Sequence, residues 1–399
     1  MLAKSARRAV PTQKSPLWTR DYILLDSLSF LFFTSFYLLT STFQFYVLFH
    51  GATLANLGLV LALLTITAVV ARPFIGPMID TWGRKRVLLL GVVLLTVANL
   101  LYLPSSTLWQ ISLVRVFQGV GWAMATTSAS TMVSDIAAPQ RRGEAMGFYS
   151  NFTDIAMAVG PFLGVYLTAG DRYNSLFMVA AVAALLAGLV LLPVQDVFQR
   201  GAVPARFRIR FQIEPRALLP AFVLLTVTFA FAGVIGFLPT FVRHVGLNHK
   251  ILGIDDYAFF YIAYSLTLLF TRGPWGRLYD RWGKSWTILP GALFVLVAMV
   301  WLPMVRLLWQ MVLFAALFGA GFAAVQPATL AWTVARTPKE RWGQAISTYY
   351  TAFDGGMALA YATLGYLAEH FSYSFAFLTA AGVVAVGLVL YLWTRLPHS

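Results

Sequence analysis

The sequence predicts an all-α integral membrane protein with twelve transmembrane helices in two pseudo-symmetric six-helix halves. Two observations carry that prediction. Of 399 residues, 59% are hydrophobic and 11% charged, with a mean hydropathy of +0.74, too little polar surface for a chain of this size in water. The second observation is internal: shifted by 200 positions, the chain lands on itself. Arg72, Gly76, Asp80, Trp82 and Gly83 fall on Arg272, Gly276, Asp280, Trp282 and Gly283. Trp109 and Gln110 fall on Trp309 and Gln310, Arg141 and Gly143 on Arg341 and Gly343, and Asp154 on Asp354. A parallel duplication of multi-helix halves is a transporter architecture.

Apolar runs of spanning length occur at 21–49, 54–79, 87–104, 107–135, 143–169 and 173–194, then at 217–243, 256–278, 286–304, 307–335, 343–369 and 373–394. Lipid offers no partner to an exposed backbone group, so runs this long must be helical. The first run is longer than a signal-peptide core and lacks a small-residue cleavage site, so it is expected to remain as the first helix; it carries Asp26 one to two turns in. The second closes on a glycine-rich bend, Gly76 to Arg86. The fourth contains Arg115 and ends at Asp135, the fifth contains Asp154 and Pro161, and the eleventh contains Asp354 followed by two glycines. The chain therefore divides into a tail (1–20), a first bundle (21–194), a basic linker (195–216), a second bundle (217–394) and a short tail (395–399).

The basic residues collect on one side of the predicted membrane. Lys4, Arg7, Arg8, Lys14 and Arg20 precede the first segment; Arg84, Lys85 and Arg86, Arg141 and Arg142, the linker arginines, Arg277, Arg281 and Lys284, and Arg336, Lys339 and Arg341 follow on the same side. The opposite loops keep Arg172, Arg243, Lys250 and Arg306. The positive-inside rule puts both termini in the cytoplasm of a multi-pass plasma (inner) membrane protein. The net charge of +14 is thus explained without nucleic acid. The chain has no cysteine, which excludes disulfides, thiolate catalysis and Cys-ligated metal. Its five histidines fall near segment ends or in loops, not where intramembrane catalysis or a metal site would need them. No GxxxxGK[ST] run is present, which argues against an ATP-driven pump. No cofactor is expected, and the energy source is expected to be a proton gradient.

The bend after the second segment reads Gly76-Pro-Met-Ile-Asp80-Thr-Trp-Gly83-Arg84-Lys-Arg86, and its echo after the eighth includes Gly276, Asp280, Gly283 and Lys284. Gly76 would permit close helix approach, Gly83 can take a positive φ, and Asp80 can cap or salt-bridge a helix end. Two such loops spaced by half the chain resemble the G-x-x-x-D-x-x-G-R-K-x loop of the major facilitator superfamily, a resemblance that covers essentially the whole chain. Arg115-Val-Phe-Gln118-Gly119 is similar to that family's R-x-x-Q-G motif. Gly160-Pro161-Phe-Leu-Gly164 looks like the antiporter motif of its drug:proton antiporter branch, where the proline bends the helix and the glycines present a flat packing face. The resemblance implies a facilitator fold working by alternating access. It also implies that Asp80, Arg84, Asp135 and Arg141 or Arg142, with Asp280 in the second half, form a cytoplasmic gate. The second half has Ala335 opposite Asp135 and Ala315 opposite Arg115, so the polar machinery is concentrated in the first.

Four buried ionisable residues stand out for proton coupling: Asp154, Arg115, Asp26 and Asp354. Asp154 and Arg115 lie at similar depth, about 20 Å and about 12 Å from opposite ends of their helices, and would pair if their faces meet. Arg115 can equally be a structural arginine bonded to carbonyls, Asp26 a helix N-terminal carboxylate and Asp354 a packing position. In the facilitator fold the first and fourth helices of each half line the cavity, which nominates Tyr37, Gln44, Gln118, Phe229, Phe237, Gln326 and Trp332. Aromatic and uncharged groups suit a lipophilic or amphipathic small organic substrate, though aromatic residues also pack and mark interfaces. The expected function is proton-coupled export by a monomer in the lipid bilayer. A sugar, metabolite or siderophore carrier of the same fold remains open, as does, from another class, a lipid scramblase or intramembrane enzyme.

Overall fold

The computed structural model describes residues 17–137, 141–168, 172–196, 213–247, 250–251, 254–338 and 341–394. The terminal tails, most of the linker, and the side chains of Asp80 and Arg142 lie outside them. The first half contains α1 (Arg20–Thr40), α2 (Phe43–Phe49), α3 (Leu54–Trp82), α4 (Arg84–Leu101), α5 (Leu108–Ile136), α6 (Arg142–Leu167) and α7 (Tyr173–Leu191). The second contains α8 (Leu218–His244), α9 (Tyr257–Trp282), α10 (Ser285–Trp301), α11 (Leu308–Arg336), α12 (Trp342–His370) and α13 (Tyr373–Trp393). Each expected segment coincides with one long helix, except that the first is broken into α1 and α2 at Ser41 and Thr42. Ser41 Oγ there donates to the Pro161 carbonyl of α6 at 2.9 Å. Seven of the helices, α1, α3, α7, α8, α10, α11 and α13, are long and apolar enough to cross a bilayer by length and composition. The all-α expectation misses one detail: β1 (Lys250–Ile251) and β2 (Ile254–Asp255) pair antiparallel before α9.

Local chemistry accounts for the repeat. Gln110 Oε1 accepts from the backbone N–H of Ser106 and Thr107, which closes a capping box at the start of α5. Gln310 Oε1 does the same for Arg306 and Leu307 at α11, satisfying donors that a helix start leaves orphaned. Gly83 and Gly283 take φ of 94° and 86° and return their N–H groups to Ile79 and Tyr279, the left-handed stop that ends α3 and α9. Lys85 Nζ donates to the Leu192 and Val194 carbonyls at 2.8 and 2.7 Å, a cation on the C-terminal end of α7.

Within the first half α1 packs on α6 and α7 and α5 on α3 and α4; the halves meet where α3 crosses α12 and α6 crosses α9. The outward faces of α7 and α13 keep Leu185, Leu189, Val386 and Val389 exposed, as lipid contact requires.

The end away from the Gly83 bend, the far end, is closed between the halves. Gly58 of α3 lies against the Tyr361 carbonyl and Gly365 of α12, and a Cβ on Gly365 would come within 2.6 Å of the Leu54 carbonyl. Glu369 Oε2 accepts the Ala55 N–H at 2.6 Å across the same seam. Gln44 Nε2 donates to the Ile235 carbonyl of α8 at 3.3 Å, and the Arg243 guanidinium covers the Phe45 ring at 3.5 Å.

Candidate functional site

At mid-depth two ion pairs tie the halves together, and they are copies of each other. Arg72 Nε on α3 donates to Asp354 Oδ2 on α12 at 2.7 Å. Arg272 Nη1 on α9 lies 2.7 Å from Asp154 Oδ2 on α6. Both members are related by the 200-residue shift, so each half gives its arginine to the other half's aspartate. Each arginine is also anchored at home: Arg72 Nη1 donates to Thr127 of α5 at 3.0 Å, and Arg272 Nη2 to Gln326 of α11 at 3.0 Å.

The two pairs differ in quality. Asp354 receives a directed hydrogen bond, while Asp154 Oδ2 makes no hydrogen bond despite its short contact with Arg272. The Arg272 side chain is 19% exposed against 9% for Arg72. Asp154 is therefore the more loosely held of two buried carboxylates. The expected Asp154–Arg115 pairing is corrected: Arg115 lies toward the far end, and the helix faces bring Arg272 to Asp154 instead. Sequence reading missed Arg72 and Arg272 as partners, although their repetition in step with Asp154 and Asp354 was the available signal. Asp26 is buried on α1 beside Tyr22.

Arg115 occupies a second polar site. Only 6% exposed, it stacks its guanidinium 3.7 Å over Phe43 and donates from Nη1 to Gln118 Oε1 at 2.8 Å. That oxygen also accepts from Tyr102 at 3.0 Å. Arg115 lines a small cavity of ≈ 40 Å³ together with Thr40, Gln44, Thr65, Ile235 and Tyr361.

Of the expected cavity residues, Gln44 lines this space and Gln118 adjoins it through Arg115. The others sit elsewhere. On α8 the lining falls to Ile235 and Gly236, whereas Phe229 and Phe237 are buried in the apolar core. Tyr37 stacks on Phe33 and backs Gly160, Gln326 holds Arg272, and Trp332 packs edge-on to Tyr391 of α13 beneath Lys284. Helical phase decided these cases, and a hydropathy pattern that is apolar all round carries no phase.

At the basic end Arg84 Nε pairs with Asp135 Oδ2 at 2.8 Å, and Arg141 occupies the N-cap position of α6 without a side-chain capping bond. Asp280 is exposed at the second bend. Gly76 is not a close-approach position here, since an added Cβ would meet nothing within 4 Å. Gly160 and Gly164 do pack flat, against Tyr37 and the Leu38 carbonyl of α1, beside Pro161 within α6.

The profile of the Major Facilitator Superfamily matches residues 25–260 and 252–399. The chain belongs to the major facilitator superfamily. Over 356 residues it is 23% identical to an uncharacterized MFS-type transporter of Methanocaldococcus jannaschii, covering 86% of this chain and 90% of that protein. Over 249 residues it is 24% identical to the class H tetracycline resistance protein of Pasteurella multocida, covering 58% of this chain and 59% of that one. Among solved structures, that of a mutant of the nucleoside transporter NupG superposes with a TM-score of 0.75 at 14% identity, covering 94% of this chain and all of that one. This facilitator is a membrane transporter of small organic substrates, not an enzyme.

Proposed function

We propose that this facilitator is a proton-coupled exporter with twelve spanning helices, in which Asp154 and Asp354 exchange protons as the halves rock. The basic end faces the cytoplasm of a plasma membrane, and the closed far end faces outward. The observation that carries this reading is the reciprocal pair of inter-half carboxylate–arginine contacts, Arg72–Asp354 and Arg272–Asp154. An arginine brought against a carboxylate favours the ionised form. Closing the far end therefore expels a proton from each acid, and opening the far end separates the pairs and lets the acids take protons up. Losing one partner of a buried pair costs about 3–5 kcal/mol. Moving a two-state equilibrium from 1:99 to 99:1 takes about 5.5 kcal/mol. Two pairs are thus of the size needed to drive the transition, and one is marginal. Export is supported by the tetracycline-resistance relative and by the flat Gly160-Pro161-Gly164 face against α1.

The test uses far-side labelling and needs no substrate. Because the protein lacks cysteine, Leu57→Cys in the buried far-end seam reports opening to an impermeant maleimide. Labelling is expected to rise as pH falls. In Asp154→Asn it should be high at all pH values with a flattened profile. An unchanged pH profile in both Asp154→Asn and Asp354→Asn would sink the proton-switch reading.

A further inference from the structure

Arg115 is a cation in an apolar setting with donors to spare. Its single hydrogen bond among the described residues runs from Nη1 to Gln118, and the acceptor is already shared with Tyr102. Its Nε is buried with no partner. None of the ion pairs among the described residues includes it; the mid-depth acids are taken by Arg72 and Arg272. A buried charge without a counter-ion is costly in a membrane protein, and the Phe43 face offsets only part of that cost. The free Nε edge of a guanidinium is the edge that grips a carboxylate with two parallel hydrogen bonds.

The surroundings define what such an anion is attached to. The cavity beside Arg115 has apolar walls from Phe36, Leu39, Phe43, Leu61, Ile235 and Met357, with Thr40, Thr65 and Gln44 as polar points. At ≈ 40 Å³ it takes a headgroup or a few waters, not a whole organic molecule, since complete ligand sites run to roughly 300 Å³ and above. We propose that Arg115 is the headgroup site for the transported substrate and that the substrate is an amphipathic organic monoanion carrying a carboxylate. The carboxylate docks on the Arg115 guanidinium and neutralises it. The apolar body lies between the halves toward the basic end, over the α1 and α12 aromatic residues. Substrate binding thereby supplies the missing counter-charge in the closed far half, which no neutral or cationic molecule could do. This rests on the reading of the protein as a small-molecule transporter, but not on proton coupling.

Equilibrium binding separates the two. The full chain in lipid nanodiscs is heated with millimolar 4-phenylbutyrate, its neutral amide 4-phenylbutanamide, or the cation 4-phenylbutylamine. A bound ligand raises the melting temperature by mass action. The carboxylate is expected to raise it and the other two are not, a comparison that needs no variant. Arg115→Gln should weaken carboxylate binding by about tenfold or more, and Arg115→Lys should retain part of it. A carboxylate shift that survives Arg115→Gln would overturn the site. Equal shifts from all three compounds, or none from the carboxylate, would overturn the substrate class. Failure of the proton-switch labelling with an Arg115-dependent shift intact would leave the anion site standing and remove only the coupling.

Discussion

Asp154 and Arg272 are buried together, so removing one has a different consequence from removing both. Arg272→Gln strands a carboxylate at mid-depth and should destabilise the folded protein by about 3–5 kcal/mol. Arg272→Gln with Asp154→Asn leaves two neutral amides and should recover part of that loss, because no unpaired charge remains. Thermal unfolding of the two single variants and the double variant forms the cycle; strictly additive effects would mean that the 2.7 Å contact contributes nothing. The same cycle on Arg72 and Asp354 should give the larger coupling, since that pair has a directed hydrogen bond. At this scale the sequence showed which residues were costly to bury but not whom they meet. Residue counting puts Arg115 and Asp154 at similar depth within one half, yet the structure sets Arg115 toward the far end and the partner of Asp154 on the other copy. Sequence depth is one coordinate, and pairing needs the helix face as well.

Helices touch through small residues, and the structure separates glycines that permit contact from glycines that shape the chain. A Cβ on Gly58 would press into the Tyr361 carbonyl of α12, while one on Gly76 would meet nothing. Both sit on α3, and Gly76 belongs to the motif that drew attention in the sequence. Gly58→Ala should therefore wedge the far seam and raise labelling of Leu57→Cys, whereas Gly76→Ala should leave far-end closure unchanged and gain a few tenths to about 1 kcal/mol of helix stability. Matching labelling in the two variants would contradict the assignment of the seam to Gly58 and Gly365. Glu369→Ala, which removes the acceptor for the Ala55 N–H, should loosen the same seam by a smaller amount. The bend motif was readable because Gly83 must take positive φ, a local demand that one residue type answers. The seam was not, because Gly58 answers a demand made by another helix some 300 residues away in the chain.

The 200-residue repeat makes the whole molecule legible, because a duplicated chain must place its copies in equivalent environments, and the capping glutamines Gln110 and Gln310 and the bends at Gly83 and Gly283 do sit in equivalent places. What duplication also implies is reciprocity: any contact from one half's Arg to the other half's Asp has a twin. The pairs Arg72–Asp354 and Arg272–Asp154 obey it, and Ala315 opposite Arg115 is a place where the repeat departs from it. Orientation rests on different physics. The cations that flank the helices at the Gly83 end also hold structure, Lys85 on the α7 carbonyls and Arg84 on Asp135, so their position alone could reflect packing. The linker arginines and the N-terminal basic residues fall on the same side of the predicted membrane as these loop charges, and that agreement is what the proposed cytoplasmic orientation of the basic end rests on. A reporter fused after Ser399 should then be active only in its cytosolic form, and one inserted near Asn248 only in its external form. The reverse pattern would place the closed far end in the cytoplasm and turn the proposed exporter into a carrier oriented for uptake.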